Sequence, residues 1–144
     1  MKKIFYSLLL FASATLFAQK NPTTRFAVAN NVVGTIDMFN LRKDIVQSKN
    51  AYKAGATLPQ NLKKYSFIAE KGLTEVKLKS GQEGLDRLTI AKLNGQHQLP
   101  NDNLVLIDGY EFTDPTIAVY GDLLAKMEVK DYNGKKTLFI STQR

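Results

Sequence analysis

Hydrophobic and polar positions alternate most cleanly at Thr74-Glu75-Val76-Lys77-Leu78-Lys79. This predicts a strand with Thr74, Val76 and Leu78 turned to a core and the charged side chains to water. Beyond Asn103 the patterning strengthens. Leu104-Val105-Leu106-Ile107 is an unbroken apolar run of strand length closed by Asp108-Gly109, and such runs suit a central strand covered on both faces. Met127–Tyr132 and Lys136–Thr142 are β-rich runs joined through Asn133-Gly134, a pair that accepts the positive φ of a tight hairpin turn. Between them, Asp114 as cap and Pro115 at the first helical position predict a short helix over Thr116–Ala125.

Upstream the pattern is weaker. Residues 19–25 are polar with Pro22 and read as a loose lead-in. Phe26–Phe39 is apolar but interrupted by Asn30-Asn31, which suits a short strand or an irregular extended segment. Asn40 can cap a helix over Leu41–Tyr52, with Leu41, Ile45, Ser48 and Tyr52 on one thin face and Gly55 as the stop. Residues 62–79 read as extended after Pro59, Ser80–Gly84 as a turn, and Leu85, Leu88, Ala91 and Leu93 as a short helix ending at Asn94-Gly95.

The N-terminus carries a different pattern. Met1-Lys2-Lys3 is cationic, Ile4–Phe11 is apolar, and Ala12–Ala18 is small and apolar before the chain turns polar at Gln19. That order is the layout of a secretory signal peptide, and the apolar stretch is shorter than the roughly 20 residues of a membrane-spanning helix. Cleavage is expected after Ala18, with Ala14 as the alternative because Leu16 fits poorly two positions before the first cut. No cysteine stands near either cut, so the leader is not of the lipoprotein kind. The domain organisation expected is therefore residues 1–18 as signal peptide and 19–144 as one domain.

Composition narrows the classes. Of 144 residues, 126 remain after the leader, enough for one modest core. The net charge of +7 falls to +5 because Lys2 and Lys3 leave with the leader. A basic exported chain can lean on anionic surfaces, although the lysines are dispersed rather than blocked, which suits plain solubility better. Nucleic acid is not an expected partner, since export separates the chain from it and no aromatic-basic pattern stands out. The absence of cysteine excludes disulfides, thiolate metal sites and thiol nucleophiles.

Tests for chemistry return little. His97, the lone histidine, lies in a polar loop beside Pro100 and has no Gly-x-Ser-x-Gly elbow elsewhere to serve; one histidine cannot make a two-histidine metal site. Asp108, Glu111 and Asp114 form a close acidic group, but their spacing is not that of a calcium loop; Asp108 reads as a turn residue and Asp114 as a cap. Asn101-Asp102-Asn103 is a turn cluster, and Gly81–Gly84 lacks the lysine and spacing of a phosphate loop. No catalytic residue, metal or cofactor is expected. Tyr110, Phe112, Tyr120 and Tyr132 are dense around the proposed last helix, where they can fill the edge of a small core or mark a contact surface.

Asn103–Thr142 resembles the plug domain of TonB-dependent outer-membrane receptors. Leu104–Gly109 is similar to the plug's apolar strand closed by Asp-Gly, Leu123-Leu-Ala-Lys-Met-Glu-Val129 to its "I-x-x-I-E-V" unit, and Leu138-Phe-Ile-Ser-Thr142 to its closing "V-I-x-I-T-T" strand. The pattern departs where a receptor plug has a Gly-rich loop, here shortened to Asp131–Lys135, and no barrel sequence follows Arg144. The resemblance implies a plug-like module that docks on a partner's barrel.

The expected fold is a single small α+β domain with a mixed or antiparallel sheet, a C-terminal β-hairpin and two or three short helices. The expected function is a non-catalytic periplasmic protein of a Gram-negative envelope, associated with the outer membrane and without a transmembrane span after cleavage. It would dock on or plug an outer-membrane β-barrel or secretion pore, for instance a type IX translocon. The alternative is a soluble periplasmic module binding an anionic polymer such as lipopolysaccharide or peptidoglycan. The loops Gly109–Pro115 and Tyr120–Asp122 are expected to meet the partner through Tyr110, Phe112 and Tyr120, with Glu111 and Asp114 at the rim. The leader is directly testable: mass spectrometry of the exported protein should find Gln19, or else Thr15, at the N-terminus, and an intact cytoplasmic Met1 would refute export.

Overall fold

Three two-residue turns set the strand framework. In a computed structural model that describes residues 19–82 and 84–143, β1 (Phe26–Ala29) and β2 (Val32–Thr35) are joined through Asn30-Asn31, with φ of 52° and 62°. β6 (Val105–Ile107) and β7 (Tyr110–Phe112) are joined through Asp108-Gly109 at 50° and 85°. β9 (Lys126–Tyr132) and β10 (Lys135–Ser141) are joined through Asn133-Gly134 at 52° and 79°. Paired positive φ matches the twist of the flanking strands, and asparagine, aspartate and glycine tolerate it best. The proposed leader, residues 1–18, lies outside the described residues, as does Glu83 in the expected turn at 80–84.

The strands build two mixed sheets. With β3 (Val46–Tyr52), β4 (Leu73–Leu78), β5 (Arg87–Thr89) and β8 (Ala118–Tyr120), the larger sheet runs β3-β4-β1-β2-β8-β5. β1 and β2 are antiparallel at its middle; β4 joins β1 and β8 joins β2 in parallel, and β3 and β5 close the edges antiparallel. The smaller sheet runs β7-β6-β10-β9, with β6 parallel to β10 and every other pairing antiparallel. The fold is the expected α+β domain with its C-terminal hairpin, and β6 is central and wholly buried as its apolar run implies. β4 also keeps the expected alternation, with Thr74, Val76 and Leu78 buried.

Two short α-helices are placed by threonine caps. α1 (Ile36–Asn40) starts where the Thr35 hydroxyl accepts the Met38 N–H at 3.1 Å, and α2 (Ile90–Gln96) where Thr89 does the same for Lys92. α2 buries Ile90, Leu93 and Asn94, a helical i, i+3, i+4 face. It begins later than the expected Leu85 because Arg87–Thr89 pair with β8.

Four expectations fail here, each for a tertiary reason. The helix over Leu41–Tyr52 is instead a 3₁₀ turn (Lys43–Ile45) and the edge strand β3, whose backbone pairs with β4 from Val46↔Leu78 to Tyr52↔Leu73. The helix over Thr116–Ala125 is instead β8 and a 3₁₀ turn (Gly121–Leu123). The Asp114 carboxylate does accept the Thr116 N–H at 2.9 Å, yet β2 captures Ala118 and Val119 for the sheet, as β-branched Ile117 and Val119 favour. Residues 62–68 are not extended; they belong to a 3₁₀ helix (Gln60–Ile68) that buries Leu62, Tyr65 and Ile68, the three-residue period of that helix. The lead-in is tied down rather than loose: the Asn21 N–H donates to the Asp108 carbonyl at 2.8 Å and Thr24 is buried.

The two hairpin glycines should separate experimentally. A β-branched side chain in the left-handed region costs about 1–3 kcal/mol, so Gly134→Val, with open space around its Cβ, should lose about that much. Gly109→Val should lose more, because a Cβ at Gly109 collides with the Gln19 carbonyl and would dislodge the lead-in. Denaturant midpoints compare them; equal losses would refute the role given to the lead-in contact.

Candidate functional site

Residues 103–142, expected to be plug-like, divide between the two sheets: β6, β7, β9 and β10 form the smaller one while β8 joins the larger, so the candidate surface is read from the two faces of the smaller sheet. Successive side chains on a strand point to opposite faces, and β7 obeys this with Tyr110 and Phe112 inward and Glu111 outward. The Tyr110 ring meets Phe26 edge-on at 5.1 Å, and Phe112 meets Phe26 at 6.0 Å and Phe67 at 5.0 Å. Tyr120 on β8 packs edge-on against Phe39 at 5.8 Å and donates its hydroxyl to the Ala29 carbonyl at 2.8 Å.

These contacts correct the sequence expectation for the three aromatics. Tyr110, Phe112 and Tyr120 are 1%, 0% and 1% exposed, so they hold the core and offer a partner nothing on this surface. The loop expected at Gly109–Pro115 is a tight turn plus a strand, and two aromatics at i and i+2 share one face. Burial raises the pKa of the Tyr110 and Tyr120 phenols, as desolvation of the phenolate requires.

Glu111 and Asp114 are exposed, as a rim requires, but already engaged. Glu111 accepts the Tyr132 hydroxyl at 2.9 Å, and this bond holds the Tyr132 pKa up because the neutral phenol is the donor. Asp114 accepts the side-chain and backbone hydrogens of Thr116, which lower its pKa. Asp108 faces elsewhere: its carboxylate accepts the Thr24 hydroxyl at 2.7 Å and both the hydroxyl and N–H of Thr142. The three acids therefore do not converge, and among the described residues no group of three or more histidines, cysteines or acids stands close enough to hold a metal ion. His97 caps the end of α2 with its own N–H donated to the Asn94 carbonyl.

The outward face of the small sheet holds what the linear sequence did not display. Strand registers align Glu111, Leu106, Phe139 and Glu128 in one row across β7, β6, β10 and β9. Leu106 and Phe139 floor a cavity of about 590 Å³, and Lys126, Glu128 and Asp108 line it as well. Tyr132 crosses this face, edge-on to Phe139 at 5.9 Å on its way to Glu111. The apolar run Leu104–Ile107 was a signal for Leu106, but only the parallel pairing of β6 with β10 sets it beside Phe139. A second, polar cavity of about 410 Å³ is lined by Asn30, Asn31, Asn50, Asn61 and Glu75 beside β4. No helix among the described residues is long and apolar enough to cross a membrane.

No protein-family model matches the chain, and comparison with curated proteins and with solved structures gives no match.

The core assignment of the aromatics carries a clear expectation. Truncating a buried aromatic to alanine costs about 3–5 kcal/mol, against a total of about 5–15 kcal/mol for a domain. The Tyr110→Ala, Phe112→Ala double variant should therefore be largely unfolded by circular dichroism. A folded double variant would return both residues to a surface role.

Proposed function

We propose that the chain is a non-catalytic protein of the Gram-negative periplasm that docks on an outer-membrane β-barrel or secretion pore, such as a type IX translocon. The observation that carries the reading is the outward face of the small sheet. Residues 105–141, within the segment that resembles a receptor plug, include that sheet, and Leu106 and Phe139 floor a cavity on it between charged rims. The interface moves with it: Glu111 stays at the edge of the docking face, Asp114 lies outside the row, and half-buried Tyr132 with exposed Lys126 and Glu128 replace the buried aromatics, around a cavity floor of Leu106 and Phe139 that is itself buried. A non-catalytic role is supported by the engagement of Asp108, Glu111 and Asp114 in separate structural hydrogen bonds rather than in a common cleft. The leader-like order of residues 1–18, cationic then apolar then small, supports the compartment.

A second reading has its own support. Exposed Lys43, Lys49, Lys53, Lys77 and Lys79 lie on or just beyond β3 and the neighbouring β4, on both faces of the sheet, so this edge of the larger sheet is rich in cations. Such an edge suits an anionic envelope polymer such as lipopolysaccharide or peptidoglycan, held by screened long-range attraction.

Fractionation separates the two. A docking subunit should remain with the outer membrane after osmotic shock and be retained with a barrel protein from detergent extracts at about 0.5 M salt, where surface attraction is screened. Release with the periplasm, with salt-sensitive binding to lipopolysaccharide, would replace the first reading by the second.

A further inference from the structure

We propose that the free edge of β9 pairs with β9 of a second copy of this chain, antiparallel and centred on Val129, joining two small sheets into one. Among the described residues the exposed large hydrophobics are Leu41, Met127 and Val129, and two of these three lie on β9. The strand is seven residues long and sits at the end of its sheet, where among the described residues only β10 pairs with it. Long edges with apolar side chains are templates for another strand unless blunted.

The backbone fixes which registers are open. Tyr132 and Lys135 flank a two-residue turn, so they form a hydrogen-bonded pair. Alternation then turns the N–H and C=O groups of Lys126, Glu128, Lys130 and Tyr132 toward β10 and those of Met127, Val129 and Asp131 outward. Pairing Val129 with Val129 of the second copy sets Met127 against Asp131 and uses all three outward positions.

Charge selects this register over its neighbours. On the same face as Tyr132, it places Glu128 opposite Lys130 of the second copy, and Lys130 opposite Glu128, twice over by the two-fold axis. Lys126 then falls opposite Tyr132, where a cation can lie against the ring. Shifting the centre to Glu128 would oppose Glu128 to itself and Lys126 to Lys130, and centring on Lys130 would oppose Lys130 to itself. Within one chain Glu128 and Lys130 are already 3.3 Å apart, so the two copies would form a four-charge cluster of alternating sign. β3, the other long edge, carries lysine without such complementarity.

Two seven-residue edges bury less than a standard interface of about 1,600 Å², so the dimer should be weak and measured by sedimentation at chain concentrations of about 100 μM. The protein is expressed with residues 1–18 and purified as the cell delivers it. The wild type should sediment as a dimer at that concentration. Glu128→Lys alone and Lys130→Glu alone should each be monomeric and folded, while an equimolar mixture of the two should again be dimeric, since every cross-strand pair then becomes attractive. The chain has no cysteine, so introduced thiols report register directly. Val129→Cys should cross-link on mild oxidation, because Cα atoms of a hydrogen-bonded pair lie about 5.5 Å apart. Met127→Cys should not, its two copies being offset by about 13 Å. A wild type that stays monomeric, a mixture that stays monomeric, or equal cross-linking at both positions would overturn the pairing.

Discussion

Phe26 lies on one of the two central strands of the larger sheet and is touched edge-on by Tyr110 at 5.1 Å and by Phe112 at 6.0 Å from the smaller one. Phe112 in turn meets Phe67 of the 3₁₀ helix, so one chain of rings runs from the large sheet through the small sheet to that helix. The chain has no cysteine with which to tie the two sheets together by a disulfide, and their buried side chains form a single cluster. Edge-to-face aromatic pairs add about 0.5–1.5 kcal/mol beyond the area they bury. Everything outside the joint depends on it, because each sheet alone would leave an apolar face in water.

Asp108 secures the same region from its rim. It sits in the β6–β7 turn, 8% exposed, with its N–H donated to the Ile140 carbonyl and its own carbonyl accepting from Asn21. Its carboxylate gathers Thr24 from the lead-in and Thr142 from the end of β10. A buried carboxylate is tolerated only when its oxygens are satisfied, and here three donors satisfy them. Both ends of the described chain are thereby fastened to one turn, next to the cavity floored by Leu106 and Phe139.

The polar chemistry of this domain is spent on architecture. Thr35 and Thr89 start helices, and Asn94 and Asn103 tie the loop after α2 to the Lys136 carbonyl on β10. The outward-facing side chains that stand out among the described residues are the row across the small sheet, the lysines on and around the β3–β4 edge, and the alternating charges of β9. These surfaces underlie both proposals made for the chain.

What the residues alone determined were the features whose cause is local. Asn133-Gly134 accepts positive φ without help, the alternation of Thr74–Leu78 needs only a core on one side, and the run Leu104–Ile107 demands burial wherever it lies. The same local logic operates at Asp108-Gly109 and Asn30-Asn31, which by sequence alone read only as a strand end and an interruption and which the structure shows to be hairpin turns. Tertiary structure decided the rest. Val46–Tyr52 has no apolar period to declare it a strand, because an exposed edge is held by hydrogen bonds to β4 and not by burial. Thr116–Tyr120 carries a sound helix start that loses to a ladder supplied by β2, more than eighty residues away. Tyr110, Phe112 and Tyr120 look like contact residues until register puts them opposite Phe26 and Phe39, and Leu106 and Phe139 become neighbours only through a parallel pairing across the chain. A turn or an alternation is set by the backbone preferences of a few adjacent residues. A sheet neighbour is set by which distant strand wins the competition for hydrogen bonds, and no short stretch of sequence contains that partner.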